Sequence, residues 1–234
     1  MYLPCMLLIP PKHSWIPGLA TLAYISGGLL VLAGAGIVFK IKARTITLAL
    51  GTGLLLIFCF YFIPYQFIVS KNYMHFGDWE NAAKELALAS GAFVIAGSFA
   101  GKNENALMRF LSKLIPLGVI LFSLTIISFS IDHFLYAKQA ADYVPSWVPY
   151  HLFWMYFTGT ALIGSGLAII LKMKSGAIAT LLGIMILAWF IMLHIPRVIA
   201  SPVAYMGSEI TSACIALAYS GIAFVIAGNT KRQQ

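Results

Sequence analysis

Seven apolar stretches, at roughly 18–39, 46–69, 84–100, 112–133, 151–171, 177–195 and 209–228, take up most of this 234-residue chain. Each is about as long as a helix must be to cross a hydrocarbon core ~30 Å thick. In that medium a backbone can satisfy its own polar groups only as a helix or a closed barrel. Uninterrupted apolar runs, rather than alternating ones, select the helix. The predicted fold is therefore an all-α polytopic bundle of seven spans. Composition agrees: 61% of residues are hydrophobic and 9% charged, against about 25% charged in a soluble domain.

The net charge of +8 would suit a nucleic-acid binder. The basic residues, however, stand singly at the ends of apolar runs and read as topology signals. The expected partner is the lipid bilayer, with no nucleic acid. Lys40, Lys42, Arg44, Lys102, Arg109, Lys113, Lys172, Lys174, Lys231 and Arg232 fall on one side with Glu104. Lys12, Lys71, Lys84, Lys138 and Arg197 fall on the other with six acids, so the split is +9 against −1. The positive-inside rule makes the first side cytoplasmic. The expectation is a multi-pass protein of a bacterial inner membrane, N-terminus outside and C-terminus inside. The prolines and missing basic residues of the N-terminus argue against a cleavable signal peptide. Cys5, Cys59 and Cys214 form no CxxC pair and are expected to pack as buried thiols.

The chain also repeats itself. A shift of 132 positions lays Trp15, Pro17, Tyr24, Gly27, Leu30, Gly34 and Ile37 on Trp147, Pro149, Tyr156, Gly159, Leu162, Gly166 and Ile169. It continues through Lys40 and Lys172, Lys42 and Lys174, Gly51 and Gly183, to Ile63-Pro64 and Ile195-Pro196. Phe93 to Gly97 reappears as Phe224 to Gly228, one position out of register. A long-period repeat of this kind is a fold-level signal. It predicts two parallel copies of a three-to-four-helix unit. Residues 1–101 form a first repeat of three spans, without an opening span, and 102–234 a second of four. The glycines Gly27, Gly28, Gly34 and Gly36 are read as helix-packing positions.

The second half, about residues 112–228, resembles the DoxX-like family of small membrane proteins. Phe129-Ser130-Ile131-Asp132-His133-Phe134 carries the likeness, with Ser130 where the family often has glycine. So do Val144 to Pro149 leading into His151-Leu152-Phe153-Trp154 and Tyr156 to Gly159, and the run His194-Ile195-Pro196-Arg197-Val198. The resemblance implies a component of a membrane redox system with partner redox subunits. It names no substrate, and whether the chain is itself an enzyme stays open.

The candidate site follows from helical spacing. His151, Trp154, Thr158 and Ser165 share one face of the fifth span, and Thr180, Gly183, Leu187, Ile191, His194 and Arg197 one face of the sixth. Ser123, Ser130 and His133 line the fourth, and Glu209 opens the seventh. The predicted ligand site is His133, His151, Trp154, Tyr156, His194, Arg197 and Glu209, at the outer side of the second repeat. In that reading Arg197 pairs with Glu209 or holds an anion, the histidines exchange protons, and the aromatics stack a flat ring. A quinone fits best. Haem on His133 and His194 has no further signature behind it, and no HxxxH pattern marks a metal site. The alternative is a transport or binding module for a small lipophilic or anionic solute without redox chemistry. A third reading has the polar cluster only tie helices together. In the first half Phe62 stands at the His194 position and Tyr65 at that of Arg197. Glu85 is expected to open a span and meet a helix N-terminus. Trp79 is expected to lie exposed at the interface.

Overall fold

A computed structural model describes residues 19–70, 73–101, 104–201 and 208–231. Cys5, His13, Trp15 and Pro17 lie outside the described residues. Among those described, the chain is all helical: α1 Leu19–Val38, α2 Ala43–Ile57, α3 Glu80–Ala96, α4 Ala106–Leu111, α5 Ile115–Leu135, α6 Ala137–Ala141, α7 His151–Ile170, α8 Ser175–Trp189, α9 Ile195–Ala200 and α10 Ser208–Lys231. Five continuous helical stretches are long and apolar enough to cross a bilayer: Ala43–Ile68, Ala106–Leu135, His151–Ile170, Ser175–Ala200 and Glu209–Lys231. The protein is thus an integral membrane protein. The expected third span, α3, is a 17-residue helix that begins at Glu80, four residues before its predicted start.

Helices α3, α5, α7, α8 and α10 close into a ring, each packed on its neighbours, with α10 returning to α3. Helix α2 packs outside this ring on α3, and α1 packs on α2. The core lies inside the ring, where Phe122, Ile126, Leu182 and Ala223 are almost fully buried. Hydroxyls join the helices where glycine brings backbones close: Ser130 Oγ donates to the Gly159 carbonyl at 2.6 Å, and Ser220 Oγ to that of Gly183 at 2.9 Å. Such bonds substitute for water inside a bilayer.

Two turns have the same backbone 132 positions apart. Lys40 and Lys42 have φ of 57° and 46°, Lys172 and Lys174 of 57° and 45°. In each, the helix ends with a left-handed lysine. The next amide reaches back five residues, Ile41 to Gly36 and Met173 to Ala168, as in helix caps of the Schellman type. Two π-helical segments show the same offset, Phe58–Phe62 after α2 and Phe190–His194 after α8. Each precedes an Ile-Pro pair. Proline has no N–H to give the carbonyl four residues back, and a wider turn takes up the lost bond. The Ile63 amide donates to Phe58 and the Ile195 amide to Phe190.

The two ends of the bundle differ in charge. One end carries the lysine turns and the C-terminal ends of α3 and α10, joined by Ser98 to Asn229 at 2.9 Å. There Arg44 pairs with Glu104 and caps α3 through the carbonyls of Ala96 and Phe99. The opposite end carries the loop before α3, the end of α5 and the break between α9 and α10. Cys59 and Cys214 are exposed on the apolar surface, not buried as expected. Of the glycines read as packing positions, only Gly36 meets a neighbour, Ile46. Nothing lies within 4 Å of a Cβ built at Gly27, Gly28 or Gly34.

Candidate ligand cavity

At the end of the bundle away from the lysine turns, a cavity of about 380 Å³ opens between α3, α5, α7, α8 and α10. Phe129, Met155, Leu162, Met185, Trp189 and Tyr219 supply most of its wall. Into it converge Glu80 and Lys84 from α3, Asp132 and His133 from α5, Thr158 from α7, His194 after α8, and Ser212 from α10. This is the volume and character of a small-molecule site: concave, mostly apolar, with a few polar groups.

Three polar atoms in this lining are buried without a hydrogen-bond partner: Asp132 Oδ1, His194 Nδ1 and the Tyr219 hydroxyl. Buried polar atoms are nearly always bonded, so three orphans around one cavity mark where a guest's polar groups belong. His133 contributes differently. Its Nδ1 lies 2.7 Å from the Phe129 carbonyl. A carbonyl only accepts, so Nδ1 carries the proton, and in the neutral ring Nε2 is left as an acceptor. Lys84 sits 2.6 Å from Glu80, so these two balance one another at the rim.

Of the predicted site residues, His133 and His194 line the cavity. Arg197 and Glu209 meet beside it, with Arg197 Nε and Nη2 donating to the two Glu209 oxygens at 2.9 and 2.5 Å. The Arg197 guanidinium also lies 4.2 Å from the ring centre of Tyr143, itself a lining residue. The pair thus closes the break between α9 and α10 and braces the wall. His151 and Trp154 are half-buried and outside the lining. Trp154 donates to the Pro149 carbonyl and sits edge-on to Trp189, the tryptophan that does line the cavity. Tyr156 is 47% exposed and stacks on Phe134, so it faces outward.

The sequence placed some of these residues wrongly for a physical reason. Spacing at 3.6 per residue was carried through Phe190–His194, but a π turn holds an extra residue and rotates everything after it. On α7 the inward face is Met155, Thr158 and Leu162, one step round from the predicted His151, Trp154 and Thr158.

The sequence reading missed α3. The site is not a property of the second half alone, because Gly77, Glu80 and Lys84 complete its wall. Their loop is held over the cavity by Tyr136, whose hydroxyl accepts from the Gly77 amide and bonds His75 Nε2, each at 3.2 Å. Trp79 is half-buried, with its indole donating to Tyr73 at 2.9 Å, rather than exposed. Glu85 does not open its helix; it lies five residues inside and is 1% exposed. One signal could have shown this, since Glu80, Lys84 and Ala87 share a helical face that Glu85 leaves. Among the described residues, no three His, Cys, Asp or Glu side chains converge as metal ligands.

No family model matches this chain, nor does any curated protein or solved structure.

Proposed function

We propose that this chain is a DoxX-like component of a membrane redox system that binds a quinone-like ligand in this cavity. The observation that carries the reading is the set of three orphaned polar atoms, Asp132 Oδ1, His194 Nδ1 and Tyr219 Oη, around an otherwise apolar hollow. A flat ring bearing oxygens satisfies both: Trp189 and Phe129 contact its faces, and the orphans bond its rim. His133 and His194 are the proton-exchanging groups of the reading. Arg197 and Glu209 hold the wall in place. Partner redox subunits would deliver the electrons.

The bundle is read as seven spans, α1, α2, α3, α5, α7, α8 and α10 with their extensions, in two copies of one unit. The matched lysine turns and π segments support this. On the charge rule, the cavity opens on the outer face of a bacterial inner membrane, with the C-terminus inside. Binding or transport of an anionic solute is less well supported, because the Arg197 guanidinium already faces Glu209 and Tyr143.

Quenching of tryptophan fluorescence by a short-chain benzoquinone tests the reading. The purified chain should show saturable quenching, and His194→Phe should weaken it about tenfold, the loss of one buried hydrogen bond. Equal affinity in that variant, or no saturable quenching in the wild type, rejects the site.

A further inference from the structure

Behind the cavity floor lies an acid that the ligand site does not use. Both Glu85 oxygens are buried with no hydrogen-bond partner, in a residue 1% exposed. Its helix runs parallel to α10: a Cβ at Gly91 would strike Ile222, and Asn229 Nδ2 bonds the Val94 carbonyl at 3.2 Å. Toward the cavity from those contacts, within two turns, come Glu85 on one helix and Tyr219 on the other. Glu85 lies within electrostatic reach of Tyr219. The Tyr219 ring lies edge-on to Phe122 and beside Phe129, and its hydroxyl lines the cavity unpartnered. Ser123, next to Phe122 on α5, is fully buried, and its hydroxyl is orphaned as well.

An isolated carboxylate is costly in such a setting, and an ionisable group inside a membrane bundle marks a relay or a pathway by default. Charged, Glu85 has no partner; neutral, it has a proton to give. We propose that Glu85 is the inner proton-exchange residue for the cavity, acting through Tyr219. The proposal rests on the quinone-like reading. Reducing a bound quinone with two electrons from an external donor requires two protons. One comes from water at the cavity mouth. For the other, the Tyr219 O–H bond breaks toward the ligand oxygen while the Glu85 O–H bond breaks toward the Tyr219 oxygen. Tyr219 ends unchanged and Glu85 ends as the anion. The charged groups facing this path are Glu80 and Lys84 on α3, Asp132 and His133 on α5, and His194 after α8.

The test is an infrared difference spectrum of the full chain with a short-chain benzoquinone, reduced at an electrode. The wild type should lose the C=O stretch of a protonated carboxyl group on reduction. Glu85→Gln should lack that signal, and Glu85→Asp should show it shifted. Tyr219→Phe should keep the protonated band through reduction, because the path is cut; this variant decides the matter should Glu85→Gln fail to fold. An unchanged signal in Glu85→Gln, with the quinone still bound, overturns the relay and leaves the cavity reading standing. No binding of the quinone to the wild type overturns both.

Discussion

The second half and the first share a frame and differ in what it encloses. A Cβ at Gly51 would lie 3.0 Å from Phe93, and one at Gly183 would lie 2.8 Å from Phe224. The same helix pair is therefore packed by the same glycine–phenylalanine contact in each half. After both α2 and α8 the chain makes the same π segment. It ends on Phe62 in one case, 4% exposed and filling its space, and on His194 in the other, lining a cavity. The difference lies also in the neighbours. Helix α7 has α5 against its glycine face, where Cβ atoms at Gly159 and Gly166 would strike Phe134 and the Ser123 carbonyl, each at 2.9 Å. Nothing described lies against the matching glycines of α1. Similar sequence thus yields a closed site only where a further helix covers it.

The largest effect should come from the closure that only the second half has. Arg197→Leu leaves the buried Glu209 carboxylate without its guanidinium and should cost about 2–3 kcal/mol. Thermal unfolding in detergent measures this, and the double variant Arg197→Leu, Glu209→Leu should recover much of the loss. A double variant as unstable as the single one would show that the pair is not what closes this end.

Next come the glycines. Gly166→Ala pushes a methyl into a backbone carbonyl and should cost about 1–3 kcal/mol. Gly34→Ala, at the matching position, meets open space and should gain about 0.5–1 kcal/mol from helix propensity. Equal penalties at the two sites would mean that α1 is packed like α7 after all.

The side-chain exchange at the π segment sharpens the contrast further. Phe62→His in a His194→Phe background should not restore benzoquinone binding, since Phe62 borders no cavity; the expected affinity stays about tenfold below wild type. Restored quenching would place a second site in the first half.

The smallest effect belongs to the basic end. Hydrogen bonds from Arg44, opposed by some desolvation, hold the Glu104 carboxyl below the usual carboxylate range. A depressed carboxylate contributes stability above its unfolded pKa of about 4.3 and loses it as pH falls through the lower folded value. The melting temperature of Glu104→Gln should therefore drop less on acidification than that of the wild type. Parallel curves would mean that Glu104 carries no linkage.

The site was legible in part. Arg197 with Glu209 could be paired from sequence because opposite charges flank one short break, and His133 and His194 could be placed by depth. Tyr156 and Trp154 were misread because both faces of a lipid-embedded helix are apolar, so periodicity does not say which one turns inward. Glu85 looked like a helix opener because the helix start was set four residues late.

Run lengths and charge placement by themselves determined that this chain is a helical membrane protein, because hydrocarbon tolerates only self-satisfied backbone over ~30 Å. They also placed the turns, since the same lysine and Ile-Pro signals recur 132 positions apart. Which faces meet was decided only in three dimensions. The π turns rotate the following residues, α5 covers one glycine face and leaves the other bare, and α3 crosses from the first half to complete a cavity in the second. Those outcomes depend on contacts between residues far apart in the chain, and no local pattern encodes them.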